Sequence, residues 1–117
     1  METSRQMKFI IHSLSMINDA IELEKTLGCK SYIPGRDTNQ NQHGDGILRD
    51  NFKAMRDCDN AVYVIWDGES FGCLFDMGLA YSLGKSIWPY KLKNCNDKHW
   101  SQYFRDKLYE GDRICYG

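Results

Sequence analysis

The feature that most constrains the fold is an almost uniformly apolar run, Ala61–Trp66, with the sequence AVYVIW. The run is rich in β-branched and aromatic side chains, and it is apolar at consecutive positions rather than at alternate ones. A strand of this kind is covered on both faces, as the central strands of parallel sheets are. Because parallel strands need crossover connections, usually helices, the run predicts an α/β architecture.

The rest of the chain alternates in the way that this architecture requires. The patterns predict strands at 7–13, 31–33, 61–66 and 86–92, helices at 15–27, 46–58 and 73–83, an amphipathic stretch at 99–109 and a possible last strand in the tail 112–117. Gly28 and Gly84 are the expected ends of the first and third helices. The 117 residues suit one domain, and we expect a Rossmann-like (flavodoxin-like) three-layer fold with a parallel sheet of four or five strands.

Charge and cysteine content narrow the classes of partner. A net charge of −1 and a pI near 6.3 argue against a nucleic-acid binder. The sequence has no apolar run of membrane-spanning length and no signal-peptide core at its N-terminus, so we expect no membrane partner. The five cysteines form no CxxC pair, which predicts reduced thiols, no metal site and a cytoplasmic location.

A glycine-rich turn, DGESFGC, follows the central strand and opens the next helix. Gly68 and Gly72 bracket Ser70 at the sheet edge where open α/β folds bind ligands, and a helix N-terminus attracts phosphate. These three residues are therefore a candidate phosphate site, with a plain turn as the alternative. Asp67 is expected either to accept a ribose hydroxyl or to cap the turn. Cys73, at the helix N-terminus, is a minor candidate for a thiol of low pKa.

Asp76 lies on the same helix, four residues after Gly72, between apolar neighbours in FDMGLA. One interpretation is an aspartate that complements the helix dipole and faces water. The other is a carboxylate that enters the pocket above the central strand, as a nucleophile or as an acceptor for a sugar hydroxyl.

Four further features have both a ligand-binding and a structural interpretation. The segment 34–46 has no apolar side chain apart from its proline and is predicted to be a solvent-facing loop, either ligand-binding or merely flexible. Its Arg36 is a candidate bidentate phosphate ligand. His12 ends the first strand, either as an acid/base group or as a structural residue. Trp66 and Trp88 are expected in the core, with a position at the border of a base pocket as the alternative.

The pattern strand–DGxSxG–helix, with an acidic residue four positions after the second glycine and then xGxAxxxGK, resembles the nucleoside 2-deoxyribosyltransferase-like superfamily. The spacing of Ser70, Gly72 and Asp76 is closest to its nucleoside 5′-monophosphate N-glycosidase branch. The resemblance covers about residues 47–85, with Asn51 and Asp59 expected in the second helix, and extends weakly to the loop 13–15.

The resemblance implies roles for specific residues. Asp76, at the position of the family's usual glutamate, is the implied nucleophile on the anomeric carbon of a nucleoside. The implied catalytic or orienting partners are Asn51 and Asp67, and the implied substrate or phosphate ligands are Ser13, Ser15, Arg36, Gly68, Ser70 and Gly72.

The expected function is thus an N-glycosidase or deoxyribosyltransferase acting on a nucleoside or nucleoside 5′-monophosphate. This chemistry needs no metal and no organic cofactor, and the resemblance also implies a homodimer or larger oligomer with pockets near subunit contacts. A non-catalytic nucleotide-binding or sensor module that uses the same cleft is the alternative. A small interaction protein with a relic pocket is the third possibility.

Overall fold

A computed structural model describes residues 7–94, 101–102 and 105–106. Within them, four strands form one all-parallel sheet in the order β2-β1-β3-β4. The elements are β1 (Lys8–His12), a 3₁₀ turn (Leu14–Met16), α1 (Ile17–Leu27), β2 (Ser31–Tyr32), α2 (Pro34–Asp37), α3 (Gly44–Asp57), β3 (Ala61–Trp66), α4 (Phe71–Ser82) and β4 (Ser86–Leu92). The Rossmann-like α/β fold expected from the sequence is confirmed.

The strand order places a topological switch between β1 and β3. The chain leaves β1 toward β2 on one side, whereas β3 continues to β4 on the other. The two central strands pair from Phe9 opposite Val62 to His12 opposite Ile65. In sheets of this kind a crevice opens beyond the carboxyl ends of the two strands at the switch, because their connections diverge to opposite faces.

Alternation along the central strands builds two apolar layers. Phe9 and Ile11 point to the face covered by α3 and α4, and the intervening Ile10 points to the face covered by α1. The first layer also contains Met55, Cys58, Val62, Val64, Trp66, Cys73, Leu74, Met77 and Ala80, and the second contains Met16, Ala20, Leu23, Ile33 and Ile65. The sheet is therefore sandwiched between helices, as the uniform apolarity of β3 predicts.

Most predicted elements lie close to their observed bounds. β3 and β4 match the prediction, α1 ends at Leu27 and is followed by Gly28 in the left-handed conformation, and α4 begins at Phe71 rather than at Cys73. Asp59 was expected in the second helix, which is wrong, since α3 ends at Asp57. Of the predicted stretch 99–109, residues 101–102 and 105–106 are described and helical, and the tail lies outside the described residues.

Two predictions about burial are wrong. The segment 34–46 is not all solvent-facing, because its first residues form α2, with Pro34 buried at the start and Thr38 buried after it. A proline pre-organises the first turn of a helix, and the neighbouring side chains hydrogen-bond the Thr38 hydroxyl. Trp88 is 57% exposed, since β4 is the edge strand of the sheet that the described residues form and most β4 residues are exposed.

We predict that Gly68→Ala lowers the free energy of unfolding by about 1 to 3 kcal/mol, measured by chemical denaturation. Gly68 has a φ of +85°, and an added Cβ would lie 2.6 Å from the carbonyl oxygen of Lys93. The control is Gly72→Ala, where an added Cβ meets nothing within 4 Å. Equal losses in the two variants would contradict the prediction.

Candidate functional site

A cleft of about 340 Å³ opens at the carboxyl ends of β1 and β3. It lies at the switch point, and its walls come from the segments that follow β1, β2 and β3 and from α3. The lining residues are His12, Ser13, Leu14, Pro34, Gly35, Gln40, Ile47, Leu48, Asn51, Ser70, Gly72, Cys73, Phe75 and Asp76. A cleft of this size and mixed polarity suits a small organic ligand.

Ser13 joins the two central strands at the floor of this cleft. Its backbone N–H donates to the carbonyl oxygen of Ile65 at 2.9 Å, which extends the β1–β3 ladder by one residue. Its Oγ accepts the backbone N–H of Asp67 at 3.0 Å and lies 3.6 Å from the Cys73 Sγ. Ser13 is 1% exposed, so it acts mainly as a fixed support for the loop after β3.

Asp67 caps the turn between β3 and α4. Its carboxylate accepts the backbone N–H of Glu69, and also both the N–H and the hydroxyl of Ser70, at 2.8 to 2.9 Å. Burial raises the pKa of this carboxyl, but these hydrogen bonds outweigh it and the pKa of Asp67 is lowered. Of the two roles considered for Asp67, the observed contacts are those of the turn cap, and its side chain does not line the cleft.

The N-terminus of α4 faces the cleft without a side-chain cap. Ser70 is the N-cap residue, yet its side chain makes no hydrogen bond to the first helical turn, because its hydroxyl donates to Asp67. Gly72 lies in that turn next to open space. The backbone amides of the first turn are therefore accessible to a ligand anion.

Asp76 is the carboxylate of the cleft. Its side chain is half-buried rather than water-facing, and no described residue donates a hydrogen bond to it or forms an ion pair with it. Burial among apolar neighbours raises the pKa of Asp76 to about 7. An unpaired carboxylate that titrates near neutral pH is a marker of functional sites.

Asn51, on α3, enters the cleft at the end of a hydrogen-bond relay. The Thr38 hydroxyl donates to Asn51 Oδ1 at 2.6 Å and lies 2.5 Å from the Tyr32 hydroxyl, which donates in turn. Asn51 is 8% exposed, and no described residue accepts a hydrogen bond from its Nδ2. The relay therefore orients the amide with its N–H groups available to a ligand.

His12 is held as a neutral, structural side chain. Its Nδ1 lies 3.0 Å from the carbonyl oxygen of Ser13, and its Nε2 accepts the backbone N–H of Gly35 at 3.0 Å. Burial lowers the pKa of His12, and the hydrogen bond to Ser13 offsets this lowering only in part. An imidazole whose two nitrogens are both engaged is not free to act as an acid or base, so the structural interpretation of His12 is the one observed.

The Cys73 thiol is not activated, contrary to the tendency expected at a helix N-terminus. It is 2% exposed, and burial raises its pKa to about 12. The apolar layer around the thiol outweighs the helix dipole, because desolvation penalises the thiolate directly.

Arg36 lies away from the cleft, in an ion-pair network that ties α2 to α1. Its guanidinium donates to both carboxylate oxygens of Glu24 at 2.8 and 3.1 Å and to Asp37 at 2.8 Å. The hydrogen bond to Glu24 raises the pKa of Arg36 most, and the hydrogen bond to Asp37 raises it further. A donor set satisfied in this way serves the packing of α2 rather than a phosphate.

The structure thus brings together five of the predicted site residues and separates four. Ser13, Asn51, Ser70, Gly72 and Asp76 line one cleft, whereas Ser15, Arg36, Asp67 and Gly68 do not line it. Asp59, which the resemblance also covers, pairs with Lys8 at 2.5 Å instead. Sequence reasoning gave no individual role to Tyr32 and Thr38, which hold Asn51 through the relay although neither lines the cleft. Gln40 lines the cleft from the segment that was predicted to be a loop.

Neither a metal centre nor a membrane span is present in the part of the chain that the structure describes. No group of three or more His, Cys, Asp or Glu side chains there could hold a metal ion. No helix there combines the length and the apolar character that crossing a bilayer requires. Comparisons with protein-family models, curated proteins and solved structures found no match to this chain.

We predict that Asp76→Asn stabilises the protein above neutral pH. The pKa of Asp76 is raised from 3.8 to about 7, so its contribution to stability is present below pH 3.8 and is lost as the pH rises through 7. The amide mimics the neutral acid, and the free energy of unfolding at pH 8 should increase by about 1 to 3 kcal/mol. Urea titrations of the variant and the wild type at pH 8 and pH 4 measure this difference in the free energy of unfolding.

The matched control is Asp57→Asn, because the Asp57 side chain is 68% exposed. We expect the control to change the free energy of unfolding by less than about 0.5 kcal/mol at both pH values. A destabilised Asp76→Asn variant at pH 8 would show that the carboxylate is held by partners rather than desolvated.

We predict that His12 makes the protein sensitive to acid. Its pKa is lowered in the folded state, so its contribution to stability is complete above pH 6.5 and is lost as the pH falls toward the folded value. His12→Gln keeps a polar side chain without this titration, and denaturation between pH 8 and pH 5 should show a smaller loss of stability than in the wild type. If His12→Gln and the wild type lose the same stability between pH 8 and pH 5, His12 is not held neutral in the folded protein.

Proposed function

We propose that the cleft binds a nucleoside or nucleoside 5′-monophosphate and that Asp76 attacks its anomeric carbon. The protein would then act as an N-glycosidase or deoxyribosyltransferase. The observation that carries the proposal is the half-buried Asp76 carboxylate, which has no partner among the described residues and lies in the same cleft as the uncapped N-terminus of α4. The sequence resemblance to the nucleoside 2-deoxyribosyltransferase-like superfamily, centred on Ser70, Gly72 and Asp76, points to the same chemistry.

The arrangement of polar groups along α4 suits a sugar phosphate. Gly72 and Asp76 are one helical turn apart and both line the cleft. A phosphate at the first-turn amides would therefore leave the attached sugar close to the carboxylate. No Lys or Arg among the described residues lines the cleft, so amides and hydroxyls would hold the phosphate.

The proposed reaction proceeds in two displacements. An Asp76 carboxylate oxygen bonds to C1′ as the C1′–N bond breaks, and the electron pair of that bond stays with the base, which takes a proton from water. A water oxygen, or a nitrogen of a second base, then bonds to C1′, and the ester bond to Asp76 breaks. The attacking group loses its proton to solvent, and the carboxylate is regenerated.

A nucleotide-binding module without turnover is the second candidate. It is favoured by the absence of a free acid, other than Asp76, among the described residues that line the cleft, since His12 is held neutral. An aspartate also reaches one methylene less far than the glutamate usual in the superfamily, and a misplacement of about 1 Å can cost on the order of 100-fold in rate.

We predict release of free base when the protein is incubated with deoxynucleosides and their 5′-monophosphates, followed by chromatography. Asp76→Asn should abolish release, because the amide is not a nucleophile, while Asp57→Asn should retain it. The attacking form of Asp76 is the deprotonated one, so the rate should rise with pH to a plateau through a midpoint near 7.

The outcomes separate the two candidates. Thermal stabilisation by a nucleotide, without release of base by the wild type, would favour the binding module. A rate that falls as the pH rises through 7 would mean that Asp76 acts in its protonated form and would overturn its assignment as the nucleophile. Neither release nor stabilisation would reject both candidates.

A further inference from the structure

The cleft contains a second amide whose orientation is set by the protein. Gln40, which follows α2, donates through its Nε2 to the carbonyl oxygens of Pro34 at 2.9 Å and Thr38 at 3.1 Å. Both of its N–H groups are thereby used, and no described residue donates to its Oε1. Gln40 therefore offers the cleft an acceptor only.

Asn51 offers the opposite polarity. Its Oδ1 accepts the Thr38 hydroxyl, while its Nδ2 has no acceptor among the described residues, and the residue as a whole is 8% exposed. Thr38 orients both amides, Asn51 through its hydroxyl and Gln40 through its carbonyl oxygen. One residue thus sets a donor and an acceptor on the same cleft.

The groups available to assist the leaving base are neutral. His12 cannot donate from Nε2, which already accepts the Gly35 N–H, and Asp76 is the nucleophile of the proposed reaction. A base that must be protonated in order to leave would find no acid among the described lining residues. A base that can carry negative charge on a carbonyl oxygen needs only a hydrogen-bond donor at that oxygen.

We propose that Asn51 and Gln40 select an oxo base, that is, one with a ring N–H beside a C=O, over the corresponding amino base. Asn51 Nδ2 donates to the carbonyl oxygen and Gln40 Oε1 accepts the ring N–H. The inference rests on the proposed function for the identity of the ligand as a nucleotide. It goes further by naming the class of base and by making Thr38 the positioning residue for both amides.

The selectivity for oxo bases has two causes, namely the cost of leaving N–H donors unpaired and the negative charge that develops on the leaving base. An amino base would leave an N–H group facing Asn51 Nδ2, and two donors that face each other where the ligand excludes water are both unsatisfied. As the C1′–N bond of an oxo base breaks, its carbonyl oxygen gains negative charge, and the hydrogen bond from Asn51 strengthens.

We predict a preference for oxo bases within two matched pairs of substrates. The pairs are the 5′-monophosphates of deoxyuridine and deoxycytidine, and those of deoxyinosine and deoxyadenosine. The affinity from thermal-shift titration and the rate of base release should both favour the oxo member by about 10-fold or more. In Thr38→Val, where Asn51 is free to rotate, the ratio should fall toward one, while the remote Thr26→Val should keep the wild-type ratio.

The variant Asn51→Asp provides an independent test. A carboxylate offers only acceptors, so the preference should shift toward the amino member of each pair. Binding or release without an oxo preference in the wild type would overturn this inference and leave the proposed function intact. An oxo preference in binding without release would support the inference while the catalytic proposal fails. No binding of any nucleotide would reject both.

Discussion

The site depends on the pairing of β1 with β3 and on the residue that completes it, Ser13. Its backbone extends the ladder to Ile65, and its buried hydroxyl accepts the N–H of Asp67. Asp67 in turn caps the loop that begins α4. The crevice at the switch point, the direction of α4 and hence the position of Asp76 all follow from this chain of hydrogen bonds, because each group in it is held by the previous one.

The polar groups around the crevice divide into those satisfied within the protein and those left for a ligand. Asp67, His12 and Arg36 each have their hydrogen-bonding capacity filled by backbone or by ion pairs. Asp76 and the Nδ2 of Asn51 have no partner among the described residues. Leaving a carboxylate desolvated costs stability, and proteins retain such costs mainly at functional sites.

Sequence reasoning located the sheet and half of the site for clear physical reasons. A strand buried on both faces is apolar throughout, so Ala61–Trp66 could be recognised, and Ser70, Gly72 and Asp76 follow it within one turn and one helix. The surroundings of Arg36 and Trp88 could not be predicted from the sequence, because they depend on distant segments. Arg36 has Glu24 of α1 as its ionic partner, and Trp88 lies on a strand with no further neighbour in the described sheet.

The sequence alone determined the layered α/β architecture and the presence, after the central strand, of an apolar helix that carries Asp76, because local patterns of apolar residues and glycines indicate both. Only the tertiary structure decided which polar residues face the cleft. Gln40 and Asn51 line the same cleft, and Thr38, which follows α2, hydrogen-bonds both of them. No periodic signal in the sequence marks a helix of one turn such as α2. Local patterns report burial and backbone conformation, whereas the orientation of an amide depends on partners from other segments.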